Sequence, residues 1–191
     1  MFIKKNKYYI YIENLSSINL NLIKIKSKFS LIYRYNIQKE NIYKVKEFIK
    51  LCKRKSIKFL IMNDLRLALK LGANGIYLSA FNRGFLNKKI YLNSSFEIVG
   101  SAHNFREIHT KKKQGCNHIV LSRIFKTTYK NKKSFYGVSK FNLIAKNYNC
   151  KFIALGGIRS NNLMLINLVN CSGIALLSEV KKKPVIIHRL F

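Results

Sequence analysis

Acidic side chains are what this chain has least of. Its 191 residues hold one aspartate, Asp64, and six glutamates against 37 lysines and arginines, a formal net charge of +30. Any carboxylate chemistry must therefore rest on very few positions. A single proline, Pro184, and the absence of low-complexity stretches leave no proline-rich linker to divide the chain. Tryptophan is absent. The four cysteines, Cys52, Cys116, Cys150 and Cys171, lack the close pairing of a zinc site or a disulfide framework. Three lie in or beside apolar patterns, which reads as buried free thiols in a cytoplasmic protein. No run approaches the ~18 apolar residues of a membrane span. The opening MFIKKNKYYIYIEN lacks the apolar core of a signal peptide. No membrane association is expected.

What is present suits a sizeable core: 48% of residues are hydrophobic and 13% aromatic. The length fits one domain over 1–191, somewhat short of the about 200–250 residues usual for a full barrel, so trimmed loops and a trimmed C-terminus are expected. The basic excess invites a nucleic-acid or polyanion reading. The lysines, however, are spread along the whole chain, with only short clusters at 111–113, 132–133 and 181–183, and no RNA-recognition signature accompanies them. Lys, Asn, Ile, Phe and Tyr, the residues with the most AT-rich codons, dominate together, which is the signature of compositional drift. Attraction to small phosphorylated substrates is the functional remainder, and specific nucleic-acid binding is not expected.

Short β-branched and aromatic runs alternate with helical periods, the pattern of βα units. Strands are predicted at 7–13, 29–36, 58–64, 74–80, 96–103, 117–124, 151–157 and 173–178. Helices are predicted over 40–55, after Asp64 up to Gly72, over 104–115, over 138–147 and after Gly157. Continuous apolar strands suit a parallel sheet buried on both faces. The fold class is α/β, a single compact (β/α)8 TIM barrel, and the basic loop at 126–134 reads as an active-site lid.

In such a barrel the chemistry gathers at the C-terminal ends of the strands. The polar residues there are Arg34, Asn63, Asp64, Ser101, His103, Thr127, Lys130, Gly156, Gly157 and Ser178. The run KFIALGGI ends in two glycines whose amides a ligand can approach. Its partner SGIALLS ends in Leu177 and Ser178. Two adjacent strands ending this way form a phosphate cradle. Asp64 either holds Mg²⁺, which prefers oxygen ligands and phosphate partners, or caps the helix that follows. Arg34 offers a fork to a phosphate. His103, after the small-residue turn GSA, is an acid/base candidate or a structural histidine.

From the second strand to the eighth, LIMND, ANGIYL, GSAHN, SRIFKTTYK, IALGGI and GIALLS resemble, in this order, the thiamine phosphate synthase/TenI superfamily of (β/α)8 barrels. Its synthases condense hydroxymethylpyrimidine pyrophosphate with thiazole phosphate, using Mg²⁺, to give thiamine phosphate and pyrophosphate. TenI-type members isomerise a thiazole carboxylate phosphate. The resemblance implies that Gly156, Gly157, Leu177 and Ser178 hold the thiazole phosphate. It implies that Arg34, Asn63 and Lys130 meet the pyrophosphate, that Asp64 ligates Mg²⁺, and that Thr127 and Ser101 line the site. Lys130, Ser101 and His103 are the catalytic candidates, His103 as acid/base in the tautomerase alternative. The chain departs from the family in places. Its Gln-x-Arg-x-Lys segment is Ile32-Tyr33-Arg34-Tyr35-Asn36 here, the second metal aspartate is Asn82, and Tyr129 replaces the second hydroxyl of the lid. These losses fall on the pyrophosphate half of the site. A tautomerase or a degenerate homologue is the alternative, and a basic polyanion- or RNA-binding protein a distant one.

Overall fold

Side chains alternate along each apolar run, and the alternation sorts the core into two sets. Tyr9, Tyr11, Ile32, Leu60, Tyr77, Val99, Val120, Ile153 and Ala175 form one buried cluster, with Met62, Leu155 and Leu177 packed against it. A larger cluster holds the alternate residues, such as Tyr8, Ile10, Leu31, Phe59, Ile61 and Ile119, together with the apolar faces of the helices. The first set fills the inside of a closed sheet and the second lies between that sheet and its outer layer.

The computed structural model describes residues 5–23, 26–34, 41–86, 95–127 and 134–177. Eight parallel strands close in sequence order, β8 returning to β1. They are β1 Lys7–Ile12, β2 Phe29–Tyr33, β3 Lys58–Met62, β4 Gly75–Leu78, β5 Glu97–Ala102, β6 His118–Ser122, β7 Lys151–Leu155 and β8 Gly173–Leu176. Each lies within a run read as a strand from sequence, and the architecture is the expected (β/α)8 barrel.

Four α-helices are described: α1 Ile42–Arg54, α2 Leu65–Lys70, α3 Phe105–Lys113 and α4 Gly137–Asn147. Short polar side chains start the first three, with Asn41, Asp64 and Asn104 accepting from the amides of Tyr43, Leu67 and Glu107. Gly72 and Gly115, both at positive φ, follow the ends of α2 and α3. Between β1 and β2 the described chain makes 3-10 turns (Leu15–Ser17, Leu20–Leu22 and Lys26–Lys28). The helix expected after Gly157 is a 3-10 helix instead, over Leu163–Leu168. Its N-cap residue Asn162 makes no cap bond. Its amide instead accepts from the Arg159 N–H and donates to the Gly157 carbonyl. Without a cap, six residues do not sustain an α-helix. Of the cysteines, all free, only Cys52 is fully buried and the other three are half-buried. Among the described residues no helix is long and apolar enough to cross a membrane.

One carboxylate closes the floor of the barrel, at the N-terminal ends of the strands. Glu97, at the start of β5, accepts from the Tyr9 hydroxyl (2.5 Å) and pairs with Lys7 (3.1 Å) and Lys58 (2.9 Å). His118 Nδ1 lies 3.6 Å away. Burial drives the Glu97 carboxyl upward, but the Tyr9 hydrogen bond, Lys7 and Lys58 outweigh it and hold it at about 2. Burial and the neighbouring Lys7 push His118 down to about 4, more than the Glu97 carboxylate pulls it up, with Lys151 and Lys58 adding to the fall. Both shifts make the unfolded chain bind more protons than the folded one. Stability should therefore be full above about pH 6.5, fall through the His118 window toward 4, and fall again between about 4.3 and 2 as Glu97 titrates. Glu97→Gln should flatten the lower window in acid-unfolding curves. Glu97→Ala, which strands lysines that are partly solvated, should cost about 3 kcal/mol in urea at neutral pH.

Candidate active site

Above that floor the inward-facing residues of β1 and β4 turn polar. Tyr9 and Tyr11 both point inward because they are two apart on β1. The Tyr11 and Tyr77 hydroxyls are 2.7 Å apart and their rings meet edge-on with centroids 5.4 Å apart. Tyr77 also bonds the Ser101 hydroxyl at the end of β5. Burial raises the pKa of both phenols, that of Tyr11 the further. The middle of the barrel thus carries a line of neutral hydroxyls from β1 through β4 to β5.

Arg34, the residue after β2, sits above this line. Its amide donates to the Ile12 carbonyl, its guanidinium carbon lies 5.4 Å from the Tyr11 ring centroid, and Nη1 is 3.8 Å from Glu13. Nε is buried and has no acceptor among the described residues. The arginine is a fixed cation at the mouth, with donor capacity left over.

Asn63 follows β3 at φ +59. Its amide donates to the Tyr77 carbonyl, its Oδ1 accepts from the Ser79 N–H (2.9 Å), and its Nδ2 donates to the Ser79 hydroxyl (3.1 Å). Asparagine tolerates that left-handed backbone, and here it stitches β3 to β4. Asp64 is exposed, and its Oδ1 accepts from the Leu67 N–H at 2.8 Å. The capping role weighed from sequence is present, and it leaves the second carboxylate oxygen for another partner. Asn82 is turned to its own loop, with Oδ1 accepting from the Gly84 N–H (3.1 Å) and the Gln114 amide (3.3 Å). Asp64 therefore fits a divalent cation and Asn82 does not. Among the described residues no group of three His, Cys, Asp or Glu side chains could hold a metal.

His103 is exposed. Glu107, one helical turn away, takes the His103 backbone N–H (2.7 Å) and faces its Nδ1 (3.0 Å), while the Tyr136 hydroxyl donates to the His103 carbonyl. The ring is thus oriented. It lines a cavity of about 650 Å³ with Phe81, Phe105, Arg123, Phe135 and Tyr136.

The two glycines after β7 have positive φ, +101 and +70. A Cβ on Gly156 would lie 2.9 Å from the Arg123 side chain, and one on Gly157 only 2.6 Å from the carbonyl oxygens of Phe125 and Lys126. Close approach is required here, and it is the β6 loop that approaches. Phe125 N–H donates to the Gly156 carbonyl, and Arg123 is fixed in turn on the Ser134 carbonyl. The amides of Gly156 and Gly157 find no acceptor among the described residues. Leu177 packs over the interior cluster at the end of β8. Thr127 is half-buried at the end of the described β6 loop. Lys130, Tyr129 and Ser178 lie outside the described residues.

The structure therefore brings Arg34 together with Tyr11, Tyr77 and Ser101, and Asn63 with Ser79. It does not turn Asn82 toward Asp64's partners. Tyr11 and Tyr77 were missed from sequence, although the period-two alternation of KYYIYIE signals an inward Tyr9 and Tyr11. Glu107 carried a signal in its four-residue spacing from His103.

The thiamine monophosphate synthase family profile matches residues 6–180. The chain belongs to that family. It is 28% identical over 148 residues to the thiamine-phosphate synthase of Prochlorococcus marinus strain AS9601, an alignment covering 78% of this chain and 42% of the relative. To the thiamine-phosphate synthase of Flavobacterium psychrophilum it is 27% identical over 143 residues, 71% of this chain and 69% of the relative. The chain thus spans less than half the length of the Prochlorococcus relative. A solved thiamine phosphate pyrophosphorylase from Pyrococcus furiosus superposes with a TM-score of 0.72 at 17% identity, covering 97% of this chain and 92% of that one, which shows a shared barrel. In this member of the family Gly157→Ala should cost more than about 2 kcal/mol, combining left-handed strain with the carbonyl clash. Urea unfolding measures it, and a cost below about 0.5 kcal/mol would contradict the packing of β6 against the glycine turn.

Proposed function

We propose that the chain is a thiamine phosphate synthase, condensing hydroxymethylpyrimidine pyrophosphate with thiazole phosphate. The observation that carries this reading is the pairing of two anion-seeking positions on one rim. Arg34, whose buried Nε finds no partner among the described residues, lies on one side, and the positive-φ turn of Gly156 and Gly157 on the other. Between them the Tyr11–Tyr77–Ser101 hydroxyls supply neutral hydrogen-bonding groups for heterocycles. A two-substrate transfer between phosphorylated rings needs this layout more than it needs a strong base.

In the proposed reaction the bond from the pyrimidine methylene to pyrophosphate breaks, and its electron pair leaves with the pyrophosphate. The thiazole nitrogen then gives its lone pair to the methylene carbon. Arg34 stabilises the departing charge, held in place by the Tyr11 ring and the Ile12 carbonyl. Asn63 and Lys130 join it, as the family resemblance implies. Gly156, Gly157, Leu177 and Ser178 anchor the thiazole phosphate, and Thr127 and Ser101 line the space between. Asp64 would hold Mg²⁺ through the carboxylate oxygen that the helix cap leaves over. When bound, that ion neutralises the diphosphate leaving group. A buried, neutral tyrosine floor keeps water from the electron-deficient carbon. The substrates are small molecules, and neither nucleic acid nor membrane is needed. The free, high-pKa thiols fit a cytoplasmic setting.

One observation favours a second reading: the oriented His103–Glu107 pair suits the acid/base work of a thiazole tautomerase. Purified protein with both substrates and Mg²⁺ separates the two. Thiamine phosphate should form, Asp64→Ala should lower kcat at least about 100-fold, and Arg34→Ala at least about 10-fold, the range for removing one charged stabiliser. No thiamine phosphate, together with thiazole isomerisation lost in His103→Ala, would establish the tautomerase instead.

A further inference from the structure

Lys111 is the one lysine fully buried among the described residues, and it has no carboxylate within ion-pair distance. It reaches from α3 beneath the loop after β4. Its ammonium donates to the Asn82 carbonyl (2.7 Å) and to Gln114 Oε1 (2.8 Å). Gln114, also fully buried, donates through Nε2 to the Gly84 carbonyl (2.6 Å), with the Asn82 carbonyl at 3.2 Å and Asn82 Oδ1 at 3.3 Å. The Gly84 N–H closes the loop on Asn82 Oδ1. The lysine stem crosses Gly100 of β5, where an added Cβ would meet Lys111 Cγ and Cδ at 2.9 and 2.8 Å and Cys116 Sγ at 2.7 Å. A glycine on the strand, a lysine and a glutamine on the helix, and an asparagine in the loop thus form one fitted clasp.

Burying an unpaired ammonium is costly, so it persists only where its hydrogen bonds hold something in place. What it holds is the segment in which the family resemblance puts a second metal aspartate. Both lone-pair directions of the Asn82 amide oxygen already face donors, and a dication beside the loop would meet a fixed positive charge. We infer that Lys111 and Gln114 are positioning residues that order the β4 loop from within in place of a metal. A divalent cation at this mouth is then carried by Asp64 and the diphosphate without Asn82. The second half of this inference rests on the synthase reading above, and the first half does not.

Mn²⁺ binding in the presence of inorganic pyrophosphate, followed by electron paramagnetic resonance on the full chain, tests the metal half. Asp64→Asn should weaken binding at least about 10-fold, while Asn82→Ala and Asn82→Asp stay within about 2-fold of the wild type. A 10-fold loss in Asn82→Ala, or a 10-fold gain in Asn82→Asp, would overturn it. Hydrogen exchange at the Gly84 amide tests the clasp without metal. Lys111→Met keeps the stem and Gln114→Ala spares it, and each should speed exchange about 10-fold. Added Mg²⁺ and pyrophosphate should leave wild-type exchange there unchanged. Unchanged exchange in both variants, or slowing of the wild type by Mg²⁺, would refute the clasp. Absence of any Mn²⁺–pyrophosphate binding by the wild type would instead remove the synthase reading and leave the clasp to the exchange result.

Discussion

Everything at the mouth of this barrel depends on how its floor is closed. Eight parallel strands in a ring enclose a column filled by side chains, and its lower end must be plugged by side chains that agree in size and polarity. Glu97 does this from β5. It reaches Tyr9 and Lys7 on β1 and Lys58 on β3, so one carboxylate ties three strands. The pairing fixes the depth of β1 in the barrel. With Tyr9 anchored below, Tyr11 stands two residues higher, at the level of Tyr77 and under Arg34. The cation at the mouth is thus positioned by a chain of contacts that begins at the bottom.

The two sides of the rim are built differently, and sequence change should bear on them unequally. The side after β7 is made from backbone. Its glycines are required because the β6 loop lies against them, whatever the ligand, so packing and binding constrain the same two positions. The side after β2, β3 and β4 is made from side chains, such as Arg34, Asn63 and Asn82. That is where the family's Gln-x-Arg-x-Lys segment keeps only its arginine and where Asn82 has been drawn into a clasp with α3.

The fold was legible because it depends on periodicities that no single residue can spoil. The apolar strands and the punctuation by Gly72 and Gly115 read directly as βα units, and all eight strands followed. The outer layer was less legible. Whether the segment after Gly157 becomes α or 3-10 turns on Asn162, whose amide is claimed by the Gly157 carbonyl through a contact that only the folded turn creates. Among the site residues, Arg34 and the glycines stood out as interruptions of an apolar pattern. Tyr11 and Tyr77 did not, since an inward tyrosine looks like any other core residue until its hydroxyl meets a partner. Asp64 shows the opposite difficulty. One residue serves as a cap and remains open as a ligand, and the sequence holds both readings with equal weight because a carboxylate has two oxygens.

The excess of basic charge is best understood from the few acids that remain. Among the described residues, Glu97 closes the floor, Glu107 fixes His103 at the head of α3, Glu13 faces Arg34, and Asp64 caps α2. Glu47 alone makes a fully exposed pair, with Lys50, of the kind that adds little to stability. The other four each hold a specific partner: Glu97 the partly exposed Lys7 and Lys58, Glu13 Arg34, Glu107 His103, and Asp64 the first turn of α2. A nucleic-acid-binding surface concentrates its lysines on one face, whereas the lysines of this chain are spread along its whole length. On the synthase reading proposed above, the charge is a background that draws phosphorylated molecules toward the mouth, while selection among them would fall to Arg34, the glycine turn and the hydroxyl line between.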